Sequence, residues 1–142
     1  MPALRMRALP LIVSGVVLLF VAGCDGSSLA GPRVPLDSEF TLAPLETAVV
    51  EGTDARVQFV DVTGDSRCPA DAICIQGGDA VVRVRVSGDG PARDHELHTG
   101  DASRAEATHR DLRIALVALQ PYPFSSRPIA PADYRATFVV RR

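Results

Sequence analysis

Apolar and polar residues alternate over several short stretches of this chain, which is the pattern of a β-strand that buries one face. In residues 80–86, three valines occupy one face, while Arg83 and Arg85 occupy the other. Residues 134–140 alternate in the same way near the end of the chain. Weaker alternation or β-branched content predicts five further strands, over residues 40–43, 47–50, 56–62, 96–99 and 112–118.

These seven short segments are separated by Gly and Pro residues. Together they predict an all-β fold, either an antiparallel β-sandwich or a small barrel of about seven strands. We expect residues 47–50 and 56–62 to form a hairpin, because the turn residues Gly52, Thr53 and Asp54 stand between them.

The late part of the chain is less regular. Val117 and Leu119 place apolar side chains on the second face of the strand over residues 112–118, which predicts a central strand covered on both faces. Residues 102–109 predict one or two helical turns. Residues 120–132 contain four prolines and predict an ordered connector rather than a strand.

The first residues have the organisation of a signal peptide. Arg5 and Arg7 precede an apolar run over residues 9–22, which is shorter than the ~20 residues that span a bilayer. The run ends in Ala22, Gly23 and Cys24, and this order of features resembles that of bacterial lipoprotein precursors. The alternatives are an ordinary secretory signal cut nearby and an uncleaved anchor.

The resemblance implies that the signal peptide, residues 1–23, is removed and that Cys24 becomes the first residue, with a diacylglycerol on its thiol. The mature protein would then be held on a membrane of the bacterial cell envelope and face the periplasm or the cell exterior. Residues 24–37, rich in Gly, Ser and Pro, predict a flexible tether behind the lipidated Cys24. Residues 38–142 are then the β-sandwich domain.

Charge and composition exclude several kinds of function. All fifteen basic residues are Arg, so lysine Schiff bases and the phosphate-binding lysine of a P-loop are absent. Seventeen acidic residues give a net charge of -2, which argues against a nucleic-acid partner. Arg83, Arg85, Arg113 and Arg135 would form a basic stripe if their strands shared a sheet, although alternating Arg is more typical of a solvated face that pairs with acids.

The cysteine count agrees with an oxidising compartment. Lipidation of Cys24 leaves Cys68 and Cys74 as a pair, and these two predict a disulfide that closes a ring of seven residues. A zinc site is the alternative for the pair. A structural zinc ion needs four ligands, however, and the sequence has no second Cys pair.

A second resemblance rests on three segments. They are Asp65-Ser66-Arg67-Cys68-Pro69 through Cys74 with Gly78 and Ala80 before a strand, Leu119-Gln120-Pro121-Tyr122-Pro123, and Asp133-Tyr134. Over roughly residues 40–140 the chain is similar to small secreted and lipoprotein domains of bacteria. The resemblance implies no particular activity. The chain departs from that pattern after Cys74, where Ile75-Gln76-Gly77 stands in place of an expected aromatic residue.

The cysteine ring is the first candidate binding site. Residues 65–78 combine turn signals, a proline and a short covalent ring, which predicts a rigid projection that loses little entropy on binding. Arg67 and the ring, with Asp65, Pro69 and Asp71, are the candidate contacts, and a protease-inhibitor-like loop that presents Arg67 is one form that such a site takes. The alternative is that the ring only staples a long crossover between sheets.

A second candidate site gathers Asp94, His95, His98 and Asp101 around a divalent metal. His95 and His98 are three residues apart and would point to opposite faces of a strand, so the segment would have to bend. We therefore expect a non-enzymatic, membrane-anchored lipoprotein with no cofactor beyond its lipid. It would bind or scaffold an envelope protein or polymer through its loops. A small metal-binding or hydrolytic domain is the alternative function.

Overall fold

The computed structural model describes residues 31–142, which form a β-sandwich. The described strands are β1 (Arg33–Val34), β2 (Glu39–Leu42), β3 (Thr47–Val50), β4 (Arg56–Asp65), β5 (Ala80–Gly88), β6 (Gly90–His98), β7 (Glu106–His109), β8 (Leu112–Gln120) and β9 (Arg135–Arg141). One sheet has the order β1-β3-β4-β5-β6, and the other has the order β2-β9-β8-β7.

Alternation along the strands builds the core between the two sheets. Val82, Val84 and Val86 of β5 are fully buried because their shared face looks toward the second sheet. Phe59 of β4 and Phe138 of β9 meet edge to face across the layers, with ring centroids 6.2 Å apart. The inner faces of both sheets therefore supply one continuous core.

The predicted β-sandwich is confirmed, and the sheets do not close into a barrel. All seven predicted segments are strands, and β3 and β4 form the expected hairpin. β6 is longer than predicted and starts at Gly90, directly after β5. Two strands, β1 and β7, were not predicted. The pairing of β1 with β3 is parallel, whereas the other strand pairs described are antiparallel.

The sandwich begins earlier than the predicted boundary at residue 38. Val34 is buried, and the Val49 amide donates to the carbonyl oxygen of Pro32. Gly31 lies so close to Thr47 that a Cβ atom on it would overlap the Thr47 carbonyl. Residues 31–37 are therefore part of the domain rather than of a tether. The predicted signal peptide, Cys24 and the start of the predicted tether lie outside the described residues.

The prediction that both faces of β8 are covered is wrong, and a β-bulge explains the pattern. Leu116 pairs with Phe138 while Ala118 pairs with Thr137, so Val117 is the extra residue. The bulge shifts the alternation by one position. Val117 is consequently exposed and Leu119 returns to the core.

The helical turns predicted over residues 102–109 are mostly a strand. Only Ala102–Arg104 form a short 3-10 helix, which the Asp101 carboxylate caps by accepting from the Ser103 amide. β7 follows at once and pairs with β8 at the edge of the second sheet. Within residues 31–142, neither of the two 3-10 helices is long or apolar enough to cross a membrane.

Three loops gather at one end of the sandwich, which we call the ring end: residues 43–46, 66–79 and 121–134. Leu42, Ala136 and Leu119 stand side by side in the second sheet, each just before or after one of these loops. Residues 66–79 join them because Arg67 donates to the Leu119 carbonyl oxygen. The described chain begins farther from the ring, since Gly31 lies against Thr47, and Thr47 pairs with Gln58, seven residues before the end of β4 at Asp65.

Candidate functional site

A buried ion pair organises the ring end. Arg67 follows Asp65, the last residue of β4, and is only 8% exposed. Its guanidinium donates from Nε to Asp65 Oδ1 at 2.8 Å and from Nη2 to Asp65 Oδ2 at 2.6 Å. The Arg67 amide also donates to Oδ1, at 3.2 Å. This two-pronged geometry is the strongest arrangement available to an Arg and a carboxylate.

The same guanidinium ties the first sheet to the second. Arg67 Nη1 donates to the carbonyl oxygen of Leu119 at 2.7 Å, and Nη2 donates to that of Pro121 at 3.0 Å. The Tyr134 hydroxyl donates to Asp65 Oδ2 at 3.0 Å. The three sequence segments on which the second resemblance rests thus meet in one hydrogen-bond network.

Arg67 therefore does not project toward a partner, contrary to the expectation of a presented basic residue. Its guanidinium carbon lies 5.3 Å from the ring centroid of Tyr122, so the cation stacks under that aromatic ring. A buried cation with this many partners supports the loop from beneath. The surroundings of Arg67 therefore fit the alternative, in which the ring staples the crossover between the sheets.

The network shifts the titration of both of its acidic members. Burial by itself raises the pKa of Asp65, but the hydrogen bonds and charge of Arg67 and the Tyr134 hydroxyl outweigh it and hold that pKa below its ordinary value of 3.8. Burial, followed by the hydrogen bond to Asp65, raises the pKa of Tyr134 to about 12. Both groups thus keep, across the neutral range, the forms that the network needs.

The predicted disulfide is confirmed. Cys68 and Cys74 are bonded, with their Cα atoms 5.9 Å apart. The ring also bonds to the connector that follows β8, since the Ala70 amide donates to the Pro123 carbonyl oxygen and the Ser125 amide donates to Asp71. Pro69 is half-buried and Asp71 is exposed, so Asp71 caps the connector while remaining in contact with solvent.

Large apolar side chains stand out from this rigid base. Ile73 and Ile75 are fully exposed, at 104% and 105%, and Tyr122 and Phe124 of the connector are about half exposed. We call these four residues the ring-end surface. Ile75 belongs to the segment after Cys74, residues 75–77, in which the second resemblance implies an aromatic residue. The chain thus keeps an apolar side chain at the place where it departs from the pattern.

An open cleft of about 810 Å³ lies beside the ring, and it reaches a buried histidine. His98 contacts Asp79 through Nδ1 at 2.5 Å, while its Nε2 atom is buried without a hydrogen-bond partner. Burial raises the pKa of Asp79, but the hydrogen bonds from His98, Gly100 and Thr99 outweigh it and lower that pKa. Asp79 therefore holds the end of β6 against the start of β5.

The second candidate site does not assemble. Asp94 pairs with Arg85, and Asp101 caps the 3-10 helix. His95 contacts His109 at 3.4 Å, whereas His98 contacts Asp79, so the two histidines lie on opposite faces of β6. Among residues 31–142, no three His, Cys, Asp or Glu side chains stand close enough to hold a metal ion.

The four arginines considered as a basic stripe are divided between the sheets. Arg83 and Arg85 lie on β5 of the first sheet and pair with Asp61 and Asp94. Arg113 and Arg135 lie on β8 and β9 of the second sheet, where Arg113 approaches Glu106. Arg135 instead donates to the carbonyl oxygens of Ala132 and Tyr134, so the four arginines make separate contacts and no stripe.

No family model, curated protein or solved structure matches this chain.

Sequence reasoning found the ring but missed the residues that make it a surface. Ile73 and Ile75 are two apolar residues in a turn-rich segment, and this was the available signal. Tyr122 entered the prediction only through the segment over residues 119–123, and Phe124 only as part of the proline-rich connector. Their meeting with the ring depends on the hydrogen bonds to Pro123 and Ser125, which local sequence does not reveal.

Replacement of Arg67 tests its role as a buried support. Arg67→Ala leaves Asp65 charged, largely buried and short of the two hydrogen bonds from the guanidinium, so the free energy of unfolding should fall by about 3 kcal/mol in urea denaturation. Arg85→Ala is the matched control, because Arg85 makes the same two-pronged contact with Asp94 in an exposed position. That variant should denature almost as the wild type does, since exposed pairs contribute little. Equal stability of the two variants would exclude a supporting role for Arg67.

Tyr134 gives the network an alkaline limit. Its pKa is about 12 in the folded chain and about 10 when unfolded, so its contribution to stability is complete below pH 10 and is lost as the pH rises toward 12. Tyr134→Phe should remove this loss, as measured by denaturation at several pH values. Tyr122→Phe, the other tyrosine of the chain, should keep it. An alkaline loss that persists in Tyr134→Phe would show that another group causes it.

Proposed function

We propose that this protein is a lipid-anchored protein of the bacterial cell envelope that acts by binding rather than by catalysis. Cys24 is its lipid attachment site, and the ring-end surface is the face that makes contact. The observation that carries the proposal is the complete exposure of Ile73 and Ile75 on a covalently closed ring. Apolar side chains in this position cost solubility, which a contact partner offsets.

Rigidity supports the same proposal. The disulfide, the Arg67 network and two hydrogen bonds to the connector fix the backbone beneath the four apolar side chains. A fixed surface loses little conformational entropy when it binds. The chemistry of this surface favours an apolar partner over a charged envelope polymer, which would need facing charges.

The hydrolytic alternative has less support. Asp79 and His98 would form half of an acid–base arrangement, but the Ser and Thr hydroxyls that line the same cleft are engaged by the main chain. Ser66 Oγ donates to the Asp79 carbonyl oxygen, and Thr99 Oγ1 accepts from the Ala80 amide. Because these hydroxyls are bonded to the main chain, the contact between Asp79 and His98 fits a structural role.

Footprinting of the full chain tests the contact face. In a bacterium that processes lipoproteins, carbene labelling of native membranes should leave Ile73, Ile75 and Phe124 protected relative to the purified, detergent-solubilised and then delipidated protein. Val117 is the internal control, because it is an exposed apolar residue on the bulge of β8, outside the ring-end surface. Its labelling should be the same in both preparations.

The anchor is tested in the same cells. A fatty-acid analogue should label the wild type and not Cys24→Ala, which should leave the membrane fraction. Equal labelling of Ile75 in membranes and in solution would contradict the proposed contact face. An unlabelled wild type would contradict the anchor.

A further inference from the structure

We propose that the partner of the ring-end surface is the bilayer that holds the lipid anchor, so that Ile73, Ile75, Tyr122 and Phe124 enter its interface. The inference rests on the proposed function, because it requires Cys24 to be lipidated. It adds the identity of the partner, a phospholipid surface, and the orientation of the domain on that surface.

The length of chain between the anchor and the domain limits where the domain can go. Cys24 is seven residues before Gly31. Seven residues reach at most about 25 Å when fully extended. The nine residues of β5 alone span about 30 Å along the sandwich. Gly31 therefore stays within about 25 Å of the bilayer, which is less than the length of the sandwich.

The described chain approaches β1 from the side of the ring end. β1 runs parallel to β3 and β3 runs antiparallel to β4, so the chain preceding β1 continues in the direction in which β4 runs toward the ring. Gly31 lies against Thr47, which pairs with Gln58, so seven residues of β4 separate this level from Asp65 at the ring end. An anchor attached on this side of the domain orients the ring end toward the bilayer.

The exposed apolar residues are concentrated at that end. Six large apolar side chains are exposed among the described residues, and Val117 is the one outside the ring-end loops. Leu45, 70% exposed, stands on the loop over residues 43–46, and the other four form the ring-end surface. Aliphatic tips with a tyrosine beside them suit the boundary between acyl chains and head groups.

The three ring-end loops carry four acidic residues against Arg67 and Arg127, so insertion depends on the apolar side chains and not on attraction to anionic lipid. Arg127 donates its amide to the Phe124 carbonyl oxygen in the same turn, and its cation suits lipid phosphates. Asp71 has the opposite charge, but it is engaged by the Ser125 amide, and this hydrogen bond is the first cause that lowers its pKa. A protein partner would fit the apolar side chains equally well, but it would not explain why they lie on the side of the domain from which the chain approaches β1.

A single tryptophan tests the insertion, because the chain contains none. Ile75→Trp places the reporter on the ring. Ala92→Trp places it on an exposed position near the opposite end, next to Arg93, which pairs with Val86. Both full-chain variants are produced in a bacterium that processes lipoproteins and are reconstituted into vesicles of phosphatidylethanolamine and phosphatidylglycerol, with and without brominated acyl chains.

The Ile75→Trp emission should shift to the blue in vesicles and should be quenched by brominated lipid, while the Ala92→Trp emission should change in neither respect. Unquenched Ile75→Trp in protein that floats with the vesicles would overturn the inference while leaving the anchor intact. A blue shift of Ile75→Trp that needs native membranes and is absent from pure lipid would assign the surface to a protein instead. Protein that does not float with the vesicles would overturn the proposed anchor itself.

Discussion

The buried ion pair between Asp65 and Arg67 is the interaction on which the ring end depends. Two charges removed from water are costly unless every donor and acceptor is satisfied. Here Asp65 accepts four hydrogen bonds, and Arg67 also reaches the carbonyl oxygens of Leu119 and Pro121. The pair therefore joins the end of β4 in one sheet to the end of β8 in the other, where no regular strand pairing links the layers.

Much of what lies beyond the pair follows from that link. The connector after β8 is held by Arg67 on one side and by the cysteine ring on the other, which fixes Tyr122 and Phe124 beside Ile73 and Ile75. A polar, buried base thus carries an apolar, exposed surface. This arrangement suits contact with an apolar partner better than catalysis, because the charged groups are already hydrogen-bonded within the base.

The sandwich was predictable from alternation because each sheet buries one face, and the period of two then appears directly in the sequence. β1 escaped notice because two residues between prolines carry no period. The bulge at Val117 escaped because one inserted residue makes a one-sided strand resemble a two-sided one. Alternation shows which residues of a strand are buried. Neither β1 nor the bulge at Val117 produces an alternating pattern of its own.

The location of the candidate site was predictable from the sequence, whereas the direction of the Arg67 side chain was not. The three segments that carry the resemblance include Asp65, Leu119 and Tyr134, and these meet in the network. The sequence does not show whether a charged side chain beside a ring points inward or outward, so Arg67 was expected on the surface. Its direction is set by carbonyl oxygens more than fifty residues away, which only the tertiary fold brings near.

Nuclear magnetic resonance relaxation of the backbone amides over residues 68–77 tests the central claim, that the ring end is a rigid base for an apolar surface. The account predicts order parameters of about 0.85, equal to those of the sheet strands. Values below about 0.6 in the ring, alongside ordered strands, would contradict it, because a mobile ring could not hold the four apolar side chains as one surface.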